Sequence, residues 1–125
     1  MYTTPLVCIM LALLAVAPVM PPPNQPPVAE DDIVIVQCEP SYVDIRVLGN
    51  DYDPEGAPLT VVDVPVAEGG KAVVLKGQVV RVYLRPTMTP PDYVPPIYLL
   101  AEGTYVVSDG VNASVASWSV FFRPQ

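Results

Sequence analysis

From Ala29 onward, apolar and polar residues alternate along short runs of the chain. In 42–48, Val43, Ile45 and Val47 fall on one side of an extended segment, with Asp44 and Arg46 on the other. Val80, Val82 and Leu84 alternate in the same way with Arg81, Tyr83 and Arg85, and Ala116, Trp118, Val120 and Phe122 with Ser117 and Ser119. A period of two is the mark of a strand with one buried face, because successive side chains point to opposite sides of a sheet. The pattern predicts seven strands, at 33–37, 42–48, 59–64, 72–76, 79–85, 104–108 and 114–122. Gly, Pro, Asn and Asp divide them, and Lys76-Gly77-Gln78 and Ser108-Asp109-Gly110 read as hairpin turns where glycine supplies positive φ. Seven short strands with such punctuation predict an all-β, seven-stranded Ig-like Greek-key sandwich over 29–125, with Trp118 in its core. The exception is 86–96, a Pro-laden connection that spans distance without pairing.

The first 28 residues follow a different pattern. Residues 6–17, LVCIMLALLAVA, are twelve apolar residues in a row. That length suits the apolar region of a secretory signal and falls short of the roughly 20 residues of a membrane-spanning helix. We therefore read 1–17 as a signal peptide or apolar export segment, with a buried apolar segment or a start codon placed too early as alternatives. No Lys or Arg precedes the run, and Ala15-Val16-Ala17, the best cleavage site, is followed by Pro18. Cys8 lies too near the front of the run for a lipid anchor. Six prolines then crowd residues 18–27, which favours extended polyproline II and makes 18–28 a stiff linker.

Composition narrows the chemistry. The 125 residues carry 13 acids, 6 bases and no His, for a net charge of −7. An acidic chain is a poor nucleic-acid binder, since that affinity comes from cations on phosphate. Lack of His removes the usual general base and the commonest metal ligand. Neither an activated nucleophile nor a carboxylate pair in a cleft is evident, so no enzyme is expected. Of the two cysteines, Cys8 leaves with the export segment. Cys38 is then alone, and is expected to be a half-buried thiol, with a disulfide-linked dimer as the sharper alternative.

Three strings carry a family resemblance: NQPPVAEDD at 24–32, VLGNDYDPEGAPLTVVDV at 47–64 and YVVSDG at 105–110. Together they resemble the cadherin-like, bacterial Ig-like modules that occur in tandem in surface adhesins, from Asn24 to about Phe122. The chain departs from that family in three ways. Gly103 stands where an aromatic is usual, the stretch after Pro86 is longer and richer in Pro, and there is one copy. The resemblance implies a secreted or cell-surface, non-catalytic adhesion module. Its partner would be a cell-surface or matrix protein, or the same module in another chain.

In a seven-stranded sandwich whose chain alternates direction from strand to strand, the segments 24–32, 50–55 and 109–112 meet at one pole. Calcium takes six to eight oxygen ligands from carboxylates, amides and carbonyls. Relatedness to cadherins makes Asp51, Asp53 and Asp109 the matching calcium ligands, with Asn24 in the linker position. Glu30, Asp32 and Glu55 lie nearby, and Lys76 in the fourth-to-fifth connection would compete for the carboxylates. Asx-turn hydrogen bonds explain the same residues without a metal. Asn112-Ala113-Ser114 is an N-glycosylation acceptor sequence at the same pole. A carbohydrate-binding sandwich is the alternative function, with Tyr83, Tyr93 and Tyr98 as sugar platforms.

Overall fold

A computed structural model of the chain describes residues 22–38, 40–85 and 95–124. The strands are β1 (Asp32–Val36), β2 (Tyr42–Ile45), β3 (Thr60–Glu68), β4 (Gly70–Leu75), β5 (Val79–Leu84), β6 (Tyr98–Ser108) and β7 (Ala113–Phe122). They form two sheets, one ordered β1-β7-β6-β3 and the other β2-β5-β4. Neighbours are antiparallel except β1 and β7, which run parallel from Asp32 opposite Trp118 to Val36 opposite Phe122. This is the expected seven-stranded Ig-like sandwich. The Cys8 thiol, the export segment and the 86–94 part of the Pro-laden connection lie outside the described residues.

The inward positions are those set by the alternation. Val43, Ile45, Val80 and Val82 from one sheet face Tyr105, Val107, Ala116, Trp118 and Val120 from the other. Trp118 and Tyr105 are the largest wholly buried side chains. The Trp118 indole N–H donates to the Thr104 carbonyl at 3.3 Å, which keeps its one polar atom bonded.

The structure departs from the pattern in four places. β2 stops at Ile45, and Val47–Asn50 forms a 3-10 turn closed by Gly49 N–H to Arg46 O and Asp51 N–H to Leu48 O. Val47 is still buried, so the turn keeps the inward step while redirecting the chain toward the pole. β3 continues through Pro65 to Glu68 because it is an edge strand, where a missing N–H breaks no ladder. β6 starts at Tyr98, six residues early. Its Glu102-Gly103 looks like a break in sequence, yet Gly103 lies opposite Trp118 and leaves room for the indole. Cys38 is exposed rather than half-buried, since it follows the end of β1 and faces neither sheet.

Both expected hairpin turns form. Lys76 and Gly77 have φ of 53° and 66°, and Gln78 N–H donates to Leu75 O at 3.0 Å. Two consecutive positive φ values match the right-handed twist of the flanking strands. At the other turn, Gly110 has φ of 99° and Asp109 N–H donates to Asn112 O.

Candidate cation site

The three distant segments meet at one pole. Val28 and Tyr52 form a two-bond bridge, N to O at 2.8 and 3.1 Å, which lays the N-terminal segment against the loop after β2. The Ser114 hydroxyl donates to Pro27 O at 2.6 Å, and Pro27 is buried. Asn112 Nδ2 donates to Asn24 O at 3.0 Å, while Asn24 Nδ2 donates to Asp109 Oδ2 at 2.7 Å. Gln25 N–H donates to Glu55 Oε1 at 3.1 Å. Residues 24–28 are thus bonded along the sandwich pole.

Asp53 and Asp109 each first fold their own loop. Asp53 Oδ2 accepts the N–H groups of Glu55 and Ala57 at 2.9 and 3.0 Å, fixing the turn that Gly56 completes at φ of 77°. Asp109 Oδ1 accepts Val111 and Asn112 N–H at 2.8 and 2.7 Å. Those amides, the Asn112 N–H foremost and Asn24 next, hold the Asp109 carboxyl well below its ordinary range. It stays ionised throughout the working pH range.

One carboxylate oxygen from each of Asp53, Glu55 and Asp109 lies within 4.8 Å of the other two. Two oxygens on opposite sides of a calcium ion are about 4.8 Å apart, so the spacing fits such an ion. Asp53 is only 8% exposed, and its Oδ1 is buried with no hydrogen-bond partner. A buried carboxylate oxygen without a donor is costly unless a cation or proton meets it. Of the expected set, Asp53, Asp109 and Asn24 come together, joined by Glu55.

Asp51 belongs to a second knot. Its Oδ1 accepts Glu30 N–H at 2.8 Å and its Oδ2 accepts the Tyr105 hydroxyl at 2.6 Å. That hydroxyl also lies 3.0 Å from Glu30 O and 3.4 Å from Val47 O, so it pins the segment before β1, the 3-10 turn and β6 together. Asp32 shares this knot. Burial, with the charge of Asp51 adding to it, pushes its carboxyl up to about 6 against the pull of Tyr105. Asp32 Oδ2 is buried without a partner. Asp31 Oδ1 instead accepts Ser117 N–H at 2.9 Å from β7, which lowers its carboxyl.

Other candidate residues are placed as follows. The Asn112 amide nitrogen, where a glycan would attach, is already donated to Asn24 O. Lys76 forms no ion pair with these acids among the described residues, where Arg81–Asp44 is the one ion pair. Tyr98 is half-buried against Phe122, ring centres 5.4 Å apart, while Tyr83 is exposed. Tyr93 lies outside the described residues. Sequence reasoning missed Tyr105 as the organiser of Asp51; its buried position in the YVVSDG alternation was the available signal.

Two Ig-like sheets, a bonded N-terminal segment and an acidic pole define an Ig-like β-sandwich module. Residues 24–120 match the bacterial Ig domain family, and the chain belongs to it. No curated protein sequence matches the chain significantly. Among solved structures it is similar to the endo-fucoidan hydrolase MfFcnA9 from glycoside hydrolase family 107. That likeness has 17% identity and a TM-score of 0.46, covering 82% of this chain and 16% of the hydrolase. No helix among the described residues is long and apolar enough to cross a membrane.

Proposed function

We propose that this bacterial Ig domain is a secreted or cell-surface adhesion or structural module whose N-terminal pole holds calcium weakly. The export-like run at 6–17 supports the location, and bacterial Ig domains are commonly surface-exposed. The observation that carries the calcium reading is the buried, unpartnered Asp53 Oδ1 within the Asp53–Glu55–Asp109 group. Asn24 completes the set if its amide turns over, offering Oδ1 where Nδ2 now meets Asp109. Asp51 positions the loop through Glu30 and Tyr105 and stands outside the group. The partner of such a module is a cell-surface or matrix protein, or the same module in another chain.

Few oxygens remain free of backbone donors, so affinity is expected near the millimolar values of extracellular modules. Amide NMR during a calcium titration tests this. Gly56, Val111 and Asn112 amides should shift together and saturate, and Asp53→Asn should remove the response. Unmoved amides at about 10 mM calcium leave only the turn chemistry of these residues.

A further inference from the structure

Charge is unevenly divided over this sandwich. Five of its six cations, Arg46, Lys71, Lys76, Arg81 and Arg85, lie in residues 40–50 and 70–85, which build the β2-β5-β4 sheet. Those segments hold a single acid, Asp44; the other twelve acids lie elsewhere in the chain. A protein of net charge −7 thus presents one cationic sheet.

Register places Lys71 and Arg81 on its outer face. Tyr42, Tyr83 and Lys71 form one cross-strand row, and Asp44, Arg81 and Val73 the next. Arg46 and Arg85 continue the outward alternation of β2 and β5, and both are exposed. Arg81 is fixed in place: Nε and Nη2 donate to the two Asp44 carboxylate oxygens at 2.7 and 3.0 Å, and its guanidinium lies 4.1 Å from the Tyr42 ring centre. Tyr42 and Tyr83 are 43% and 42% exposed, with ring centres 6.0 Å apart. Beyond them, Arg46, Leu48, Gly49, Gln78 and Val79 line an open groove of about 460 Å³. Thirteen acids are available in the chain, yet Arg46, Lys71, Lys76 and Arg85 form no ion pair among the described residues.

We propose that the outer face of the β2-β5-β4 sheet binds an acidic polysaccharide, one bearing carboxylate or sulfate groups. Tyrosine rings offer apolar faces for the C–H surfaces of sugars and keep a polar tip in water. Arg81 is spent on Asp44 and steadies the Tyr42 ring, while Arg46 and Arg85 can give paired donors to a carboxylate or sulfate and Lys71 a point charge. A protein partner would want an apolar centre to its contact. The middle of this face is instead an ion pair flanked by rings. The Tyr42–Tyr83–Lys71 row lies at the end of the sheet away from the acidic pole, and binding there does not depend on calcium.

Binding of the full chain to immobilised polygalacturonate, dextran sulfate and neutral dextran tests the proposal. Retention on one or both anionic polymers, weakening steadily with added salt, and none on neutral dextran is the expected result. Carboxylate and sulfate are separated by which polymer holds the protein. Lys71→Gln with Arg85→Gln should weaken binding about tenfold, and Tyr42→Ala by a similar factor, with the melting transition of each variant checking the fold. Equal retention on neutral dextran, or no retention at low salt, overturns it. So does salt-sensitive self-association of the free protein that blocks polymer binding, which would make the acidic surface of a second copy the occupant.

Discussion

The Tyr105 hydroxyl organises the Asp51 knot, tying Glu30, Val47 and Asp51 to β6, and Tyr105→Phe isolates it. The ring is wholly buried and stays packed in the variant, so the change removes one O–H and no apolar volume. What is lost is a 2.6 Å bond to Asp51 Oδ2, a charged acceptor in a partly buried place. Hydrogen bonds to charged groups contribute about 1.5–3 kcal/mol net, and the acceptor left behind is not easily reached by water. We expect a loss of about 2 kcal/mol, or roughly 10 °C in melting temperature for a domain of this size. Urea unfolding followed by fluorescence of Trp118, the chain's single tryptophan, reads this directly. A double-mutant cycle with Asp51→Ala should return a coupling of about 1–2 kcal/mol, because the two groups act on one bond. A Tyr105→Phe cost below about 0.5 kcal/mol, or no coupling with Asp51, would show that the hydroxyl is not what holds the Asp51 knot.

Asp32→Asn probes the same knot through pH. With its folded value raised to about 6 from 3.8, Asp32 keeps its proton in the folded chain after the unfolded chain has released it. Its contribution to stability is therefore present at low pH and is lost as pH rises through 4 to 6, by about 1 kcal/mol after solvent screening. The variant should melt about 4–8 °C higher at neutral pH and show no gain near pH 4; an equal gain at both would refute the assignment. Asp109, held low by backbone donors, has the opposite sign, its stabilisation being lost only in strong acid. Gly103→Ala should cost more than about 3 kcal/mol, since a Cβ there strikes the Val66 carbonyl and comes to 2.5 Å from the Trp118 ring. A melting point within a few degrees of the parent would sink that reasoning.

The strands were legible because each buries one face. Val82 and Trp118 read as inside because their neighbours in sequence, Arg81 with Tyr83 and Ser117 with Ser119, are charged or hydroxylic. The start of β6 was hidden because its inward residues, Ala101 and Gly103, are small, and the glycine is explained only by the indole across the strand. The pole was legible as topology, since chain reversals carry 24–32, 50–55 and 109–112 to one end. Which acid serves which contact was not. Asp51 and Asp53 are two apart and read as equivalent, but Asp51 is claimed by a tyrosine 54 residues away and Asp53 by its own turn. The exposure of Cys38 depends on where β1 ends, a boundary that alternation alone leaves open.

Turn chemistry and metal binding at this pole draw on the same carboxylates but not on the same oxygens. Asp53 commits Oδ2 and Asp109 commits Oδ1 to backbone amides, and those bonds orient each carboxylate. The oxygens left over are Asp53 Oδ1, without a partner, and Asp109 Oδ2, bonded to a single side-chain amide. On the proposed calcium reading, folding the loops prepares oxygens for the ion instead of competing with it. The same division limits affinity: three carboxylates and one amide fall short of six to eight ligands, and solvent must supply the rest. At calcium equal to Kd the ion would add about 0.4 kcal/mol to folding, and at ten times Kd about 1.4 kcal/mol. The fold thus stands without the metal. Raising calcium from a tenth of Kd to ten times Kd should lift the melting temperature by several degrees, and Asp53→Asn should abolish that rise while leaving the sandwich intact.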